Sequence, residues 1–190
     1  MSIRTLILII VLSVVAGIAV FIAVSPKNET PQGAPQASIP KPTPTPNIAF
    51  TVLAIMPNPL TISSPSTSVD VSIDTQTNKV TAVQLELSYD PKQLTNVNIV
   101  QGTFFDNPIV LLKKIDEKKG IISFALGISP SQTAKMGTGS VATITFTSNL
   151  VKGTKTEIKM LPETLVTAEG VAPSVLKSSS GTTIMSPIVN

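Results

Sequence analysis

Apolar and polar residues alternate along short stretches of the chain from residue 48 onward. The clearest stretches are 69–73, 83–89, 122–128, 142–146 and 158–160, in which every second residue is apolar. A period of two places alternate side chains on opposite faces of a β-strand. The pattern therefore predicts strands with one buried and one wet side. Further strands are expected at 50–55, 94–101, 110–115, 164–168 and 182–185.

Turn-forming residues separate these stretches. Asp90-Pro91 and the segments 116–120, 136–139, 152–153 and 169–170 each contain Pro or Gly, and three of the five also contain Asp or Glu. Such residues favour tight turns through fixed φ, positive φ or local side-chain hydrogen bonds. Asp90 is expected to bond nearby backbone amides. No stretch from residue 48 onward keeps an apolar period of 3.6, so the pattern predicts an all-β domain, a β-sandwich.

The first part of the chain has a different pattern. Twenty uncharged and mostly apolar residues run from Thr5 to Val24, after Arg4. As a helix this segment would span roughly 30 Å, the thickness of a bilayer's hydrocarbon core. We expect residues 5–24 to form a transmembrane helix, with residues 1–4 in the cytoplasm and the rest of the chain outside it as a single-pass membrane protein. A cleaved signal peptide is the alternative, although its apolar stretch is usually shorter.

A proline-rich stretch follows the apolar segment. Seven of the 23 residues from 25 to 47 are Pro. Closely spaced prolines favour an extended polyproline II conformation, which at about 3.1 Å per residue reaches up to roughly 70 Å. Residues 25–47 are therefore interpreted as a spacer, and residues 48–190 as the domain that it holds.

Composition limits the chemistry available to the domain. The chain contains no His, Cys or Trp and a single tyrosine, Tyr89. Without His it lacks the most frequent general base and metal ligand, and it shows no calcium-loop motif, so we expect no catalytic residues, no metal and no cofactor. The stretch around Lys177–Ser180 is interpreted as a polar loop before the last strand and not as a Ser-Lys catalytic pair. Eleven Lys balance ten Asp and Glu from residue 48 onward, which argues against nucleic acid as a partner.

Four segments in order resemble the cohesin family. Residues 80–94 read VTAVQLELSYDPKQL, and end in the family's Tyr-Asp-Pro-x-x-Leu corner. Residues 97–105 resemble the next strand and its Gly-x-x-Phe segment, and 116–126 the Asp-x-x-x-Gly hairpin with the strand after it. Residues 137–146 resemble the Gly-x-Gly-x-Leu-Ala-x-Ile-x-Phe strand, with Val141 in place of Leu. The resemblance covers about residues 50–186. It implies a nine-stranded jelly-roll β-sandwich related to carbohydrate-binding modules.

The resemblance also implies a binding role, because cohesins hold dockerin modules in assemblies of polysaccharide-degrading enzymes. On the residues alone, Phe104 and Phe105 are the candidate partner-binding residues. Adjacent residues of an extended strand point to opposite sides. One ring is expected to seal the core and the other to be exposed as an anchor for a partner.

Three functions are compatible with these observations. The first is a membrane-anchored module that recruits or displays a dockerin-like protein at the cell surface, with a link to polysaccharide utilisation. The second is a carbohydrate-binding module, for which Tyr89 would supply a stacking ring, although a chain without Trp has few aromatic platforms. The third is a structural cell-surface protein without a tight ligand.

Overall fold

Two β-sheets stacked face to face make up the part of the protein that the structure, a computed structural model, describes: residues 49–64 and 66–187. These residues contain no α-helix, and the predicted all-β sandwich is confirmed. The strands are β1 Thr51–Met56, β2 Leu60–Thr61, β3 Ser66–Asp74, β4 Val80–Tyr89, β5 Leu94–Gln101, β6 Ile109–Asp116, β7 Ile121–Gly127, β8 Thr138–Ser148, β9 Lys155–Met160, β10 Leu165–Ala168, β11 Leu176–Ser180 and β12 Thr182–Met185. Short segments such as β2 raise the number of strands above the nine expected.

The sheets differ in size. One has five strands in the order β11-β1-β3-β8-β5. The other has seven, in the order β2-β12-β9-β4-β7-β6, with β10 also paired to β4. β9 pairs with the end of β4 near Tyr89 and β10 with its beginning near Val83, so the two strands follow one another along the same edge of β4. The outer strands are β11 and β5 in the smaller sheet and β2 and β6 in the larger.

Alternating residues fill the space between the sheets, as the pattern predicts. In β4 the side chains of Val83, Leu85 and Leu87 are fully buried, and in β7 those of Ile122 and Phe124 lie opposite them. The smaller sheet contributes buried residues from β1, β3, β5 and β8, which include Leu53, Val71, Ile99, Ile144 and Phe146. The described residues fall in one compact unit, Pro44–Asn190, with its own hydrophobic core.

The predicted hairpin at 116–120 is confirmed, and its chemistry is local. The Asp116 carboxylate accepts hydrogen bonds from the backbone amides of Lys118 and Lys119, and Gly120 N donates to Asp116 O at 2.8 Å. Gly120 has φ of +67°, and a Cβ there would lie 2.0 Å from Tyr89 O. Only glycine fits this position without a shift of the backbone. The Asp90 turn is confirmed in the same way, with Lys92 N donating to Asp90 Oδ1 at 2.9 Å.

The prediction of a polar loop at Lys177–Ser180 is wrong, because these residues belong to β11. The strand pairs in parallel with β1, and Ser178 lies opposite Val52. Its side chains are mostly exposed because β11 is the edge of the sheet. A run of serines has no apolar alternation, so pairing with a distant strand determines the conformation here.

The predicted cytoplasmic segment, transmembrane helix and proline-rich spacer, residues 1–4, 5–24 and 25–47, lie outside the described residues. No helix that could cross a membrane is found in the part of the chain that the structure describes.

One buried threonine joins the two strands that share an edge of β4. Between the end of β9 and the start of β10, the Thr164 hydroxyl accepts a hydrogen bond from Glu86 N at 3.1 Å and donates one to Glu86 O at 3.1 Å. Leu161 N also donates to Glu86 O, at 2.7 Å. The side chain thus takes the place of strand pairing at Glu86, and it is buried.

We predict that Thr164→Val lowers the free energy of unfolding by about 1–3 kcal/mol, because the variant leaves the backbone polar groups of Glu86 without the hydroxyl. Urea unfolding of fragment 44–190 measures the change. Thr145→Val is the matched control, since Thr145 is exposed in β8, and a change within about 0.5 kcal/mol is expected there. Equal losses in the two variants would contradict the role given to Thr164.

Tyr89 is buried at the end of β4, as the alternation predicts. Burial raises the pKa of its phenol above the ordinary value, and the carboxylates of Glu117 and Asp116 raise it further. A phenolate is poorly solvated in this position and is repelled by both carboxylates. The folded protein therefore holds the phenolic proton more tightly than the unfolded chain.

We predict that the stability of the protein falls as the pH rises from about 10, the ordinary tyrosine pKa, through the higher folded-state pKa. In that interval the unfolded chain has lost a proton that the folded protein keeps, so deprotonation favours unfolding. Since Tyr89 is the only tyrosine, the near-ultraviolet absorbance of phenolate reports it alone. Tyr89→Phe should reduce the alkaline loss of stability. Identical titration of the folded and urea-unfolded protein would refute the prediction.

Candidate functional site

Three exposed apolar side chains, Ile109, Leu112 and Leu165, lie on the outer face of the seven-stranded sheet. The register places Leu112 of β6 opposite Ala125 of β7, Ala125 opposite Gln84 of β4, and Gln84 opposite Leu165 of β10. The four side chains form a row across the sheet on the side away from the core. Leu112 and Leu165 stand at the two ends of this row, and both are exposed.

A second row of side chains lies next to the first, nearer the start of β4. It consists of Ile109, Gly127, Ala82 and Thr167, in four adjacent strands. Ile109 is exposed, whereas Ala82 and Gly127 are small and leave the surface low between the flanking strands. We call the exposed residues Ile109, Leu112 and Leu165, with Ala82 and Ala125 between them, the apolar band.

Toward the other end of β4, this face carries charged and hydroxyl side chains together with the half-buried Ile121 and Met185. Lys114, Ser123 and Glu86 form the next row, and Ser123 Oγ donates to Glu86 Oε2 at 2.7 Å. Beyond them Lys159 forms an ion pair with Glu157 at 3.2 Å. Both charges of this pair are largely exposed and contribute little to stability. The face as a whole combines an apolar part with a polar margin of both signs, the anatomy of a protein–protein interface.

The outer face of the five-stranded sheet is different. Its central strands present Ser68, Asp70, Thr143 and Thr145, and Thr143 Oγ1 donates to Asp70 Oδ1 at 2.5 Å. Val100 of β5 is exposed on this face, where it lies beside Thr143. Met56 of β1 is also exposed on this face, beside Asp70. In this row Asp70 and Thr143 separate the two exposed apolar residues, Met56 and Val100, from each other.

The prediction that one of the rings of Phe104 and Phe105 is exposed is wrong. Both rings are buried, with 3% and 4% of their surfaces exposed, and their centroids lie 4.8 Å apart in an edge-to-face arrangement. β5 ends at Gln101 and the chain then bends, so the alternation of an extended strand does not hold at these residues. Phe104 packs on Gly139 of β8. The rings seal the core and present no surface to a partner.

The sequence carried a signal for the apolar band that the alternation did not reveal. Residues 109–112 read IVLL, four apolar residues in succession, and all but the first lie in the strand predicted at 110–115. Such a run is typical of a strand that is buried on both sides. Here the strand is β6, an edge of its sheet, and the run is exposed. Edge position depends on the order of strands in the sheet, which a single strand's pattern does not contain.

The described residues give little support to other kinds of site. Among them, no three His, Cys, Asp or Glu side chains converge on a point that could hold a metal ion. The Tyr89 ring belongs to the core. Phe50 is the exposed aromatic ring within residues 49–64 and 66–187, and it precedes β1 in the other sheet.

Comparisons with known proteins agree on one family. The sequence model of the cohesin domain matches residues 66–184. No curated protein matches the chain. The third cohesin ScaC of Acetivibrio cellulolyticus, solved in complex with the ScaB dockerin, is 17% identical with a TM-score of 0.61, over 74% of this chain and 100% of that chain.

Two other solved structures have similar folds. A chain of a type I cohesin–dockerin complex from Clostridium thermocellum is 17% identical with a TM-score of 0.58, over 72% of this chain and 98% of that chain. A non-cellulosomal cohesin from Archaeoglobus fulgidus is 19% identical with a TM-score of 0.56, over 73% of this chain and 91% of that chain.

Proposed function

The chain belongs to the cohesin domain family, and we propose that it is a protein-binding module that takes up a dockerin-like partner on the outer face of its seven-stranded sheet. The observation that carries the proposal is the apolar band. Ile109, Leu112 and Leu165 are exposed together on a face whose other exposed side chains, such as Lys114, Glu157 and Lys159, are charged or hydroxylic. A contiguous exposed apolar patch with a polar rim is typical of an interaction site.

The shape of this face favours a protein over a small molecule. The band lies on the strands of a sheet, with small residues such as Ala82 and Ala125 between larger ones. Small-molecule sites are concave and enclose most of their ligand. A partner for this face would present apolar side chains that fit between Leu112 and Leu165, with charged groups placed against Lys114 and Glu86.

A polysaccharide is the weaker candidate because sugar rings stack on exposed aromatic side chains. The chain has no Trp, and the face described above is built from aliphatic and small residues. A non-cellulosomal cohesin is among the similar structures, so membership in the family does not require a polysaccharide-degrading assembly. The proposed partner is therefore defined by the apolar and charged side chains that it must present to this face.

We further propose that residues 5–24 anchor the protein in a membrane and that residues 25–47 space the domain away from it. The support is the uncharged run of twenty residues after Arg4 and the seven prolines that follow. In this arrangement the domain lies outside the cytoplasm and presents its binding face to proteins of the cell surface.

Leu112→Asp is predicted to weaken binding of a dockerin module by about 30-fold or more, because apolar anchor residues of an interface contribute about 2 kcal/mol or more. Calorimetric titration of a panel of purified dockerin modules with fragment 44–190 measures the affinity. Val100→Asp is the matched control, since Val100 is 44% exposed on the opposite face and Leu112 is 41% exposed. The control should bind as the unaltered protein does.

Several results of this experiment would argue against the proposal. Equal losses for the two variants would move the partner away from the apolar band. Failure of every dockerin in the panel to bind at micromolar concentration would contradict a dockerin-like partner. Sedimentation of the fragment with insoluble cellulose or chitin would favour the carbohydrate-binding alternative.

The anchor predicts that the full chain stays in the membrane fraction after alkaline carbonate extraction, whereas a variant without residues 5–24 becomes soluble. Intact mass spectrometry of the membrane-bound protein should give the uncleaved length. Recovery of a chain that begins after residue 24 would establish a signal peptide instead. Extraction of the uncleaved chain by carbonate would refute the membrane anchor.

A further inference from the structure

β6 combines an edge position with exposed apolar residues. It is the last strand of the seven-stranded sheet and pairs with β7 on one side only. Ile109, Val110, Leu111 and Leu112 are all exposed, Leu111 to 65%. An edge of this kind offers unpaired backbone groups and apolar side chains to another strand, and is a site of edge-to-edge association.

A second copy of the chain carries the same exposed edge, so two copies could pair through β6. Pairing of β6 with β6 about a two-fold axis would add backbone hydrogen bonds and place the same apolar residues of both copies beside each other. Two features of β6 oppose this pairing. The first is a β-bulge, because the register with β7 shifts between Val110 and Leu112.

The second feature is Lys113, which lies on the inner side of β6, the side that faces the core. It is opposite Phe124 of β7, whose ring is buried in the core, whereas Lys114 is opposite Ser123 and lies on the outer face. Lys113 Nζ reaches across the margin between the two sheets and donates to Asn98 Oδ1 of β5 at 2.9 Å. The ammonium group thus sits where the inner side chains of an added strand would lie.

We propose that Lys113 keeps β6 unpaired and the domain monomeric, by placing a charge on the otherwise apolar inner side of this edge. A second copy of β6 would cover this ammonium with its own inner side chains and remove its water, at a cost that opposes the gain from Leu111 and Val110. Lys114 has the same charge on the same strand, but it faces solvent on the outer side and stays hydrated when a strand is added. Position, and not charge alone, makes Lys113 the blocking residue.

Lys113→Val and Lys114→Val in fragment 44–190 form a matched pair that tests this role. Each variant removes one positive charge and adds one β-branched side chain to β6. Sedimentation velocity over micromolar to millimolar protein should show monomers for the unaltered fragment and for Lys114→Val, and a doubling of mass with concentration for Lys113→Val. A monomeric Lys113→Val, a dimeric unaltered fragment, or equal dimerisation of the two variants would overturn the proposal.

Two further variants keep the test sharp. Adding Leu111→Asp to Lys113→Val should restore the monomer if association uses β6, and a persistent dimer would place the contact elsewhere and overturn the proposal. Asn98→Ala removes the acceptor but keeps the ammonium, so it should remain monomeric. Dimerisation of Asn98→Ala would show that the bond to β5, and not the charge, blocks the edge. Circular dichroism of each variant confirms that the domain is folded.

Discussion

The register between β4 and its neighbours is the constraint on which the surface of this molecule depends. Because side chains alternate along a strand, Leu85 and Phe124 face the core only if Gln84 and Ala125 face outward beside them. A shift of one residue would turn the apolar band inward and expose the core. The buried hydroxyl of Thr164 supports this register, since it bonds both backbone groups of Glu86 at the point where β9 gives way to β10.

The two outer faces follow from the same alternation and yet differ in character. In the smaller sheet the outward positions of β3 and β8 are Ser, Thr and Asp, which satisfy one another by hydrogen bonds such as that of Thr143 with Asp70. In the larger sheet three aliphatic side chains remain outward and exposed. Their exposure costs free energy in the isolated domain. Leu112 belongs to this band, and Lys113, the next residue, lies on the other side of the sheet. In the roles proposed for them, these neighbouring residues serve binding of a partner and protection against self-association.

Much of the fold could be predicted from the sequence because strict alternation is a local property. The strands at 83–89 and 142–146 and the turns at Asp90 and Asp116 needed only nearby residues. The strand at Ser178–Ser180 was missed because its pairing with β1 is between distant parts of the chain. One ring of the pair Phe104 and Phe105 was wrongly expected at the surface because alternation was applied beyond the end of β5. The run at 109–112 marks an apolar strand in the sequence, but its exposure could not be predicted, since it follows from the position of β6 in the sheet.

The place where the chain joins the domain has a steric consequence. Phe50 N bonds Asn78 Oδ1 and Thr51 N bonds Val175 O, so the chain arrives beside the loops that precede β4 and β11. The row that contains Ile109 and Ala82 lies near this same end of β4, and Lys159 lies near the opposite end. A large partner bound to these side chains would therefore occupy the end of the domain at which the chain enters β1. If the protein is anchored as proposed, the space left between that partner and the membrane would then depend on the length of the proline-rich stretch, residues 25–47.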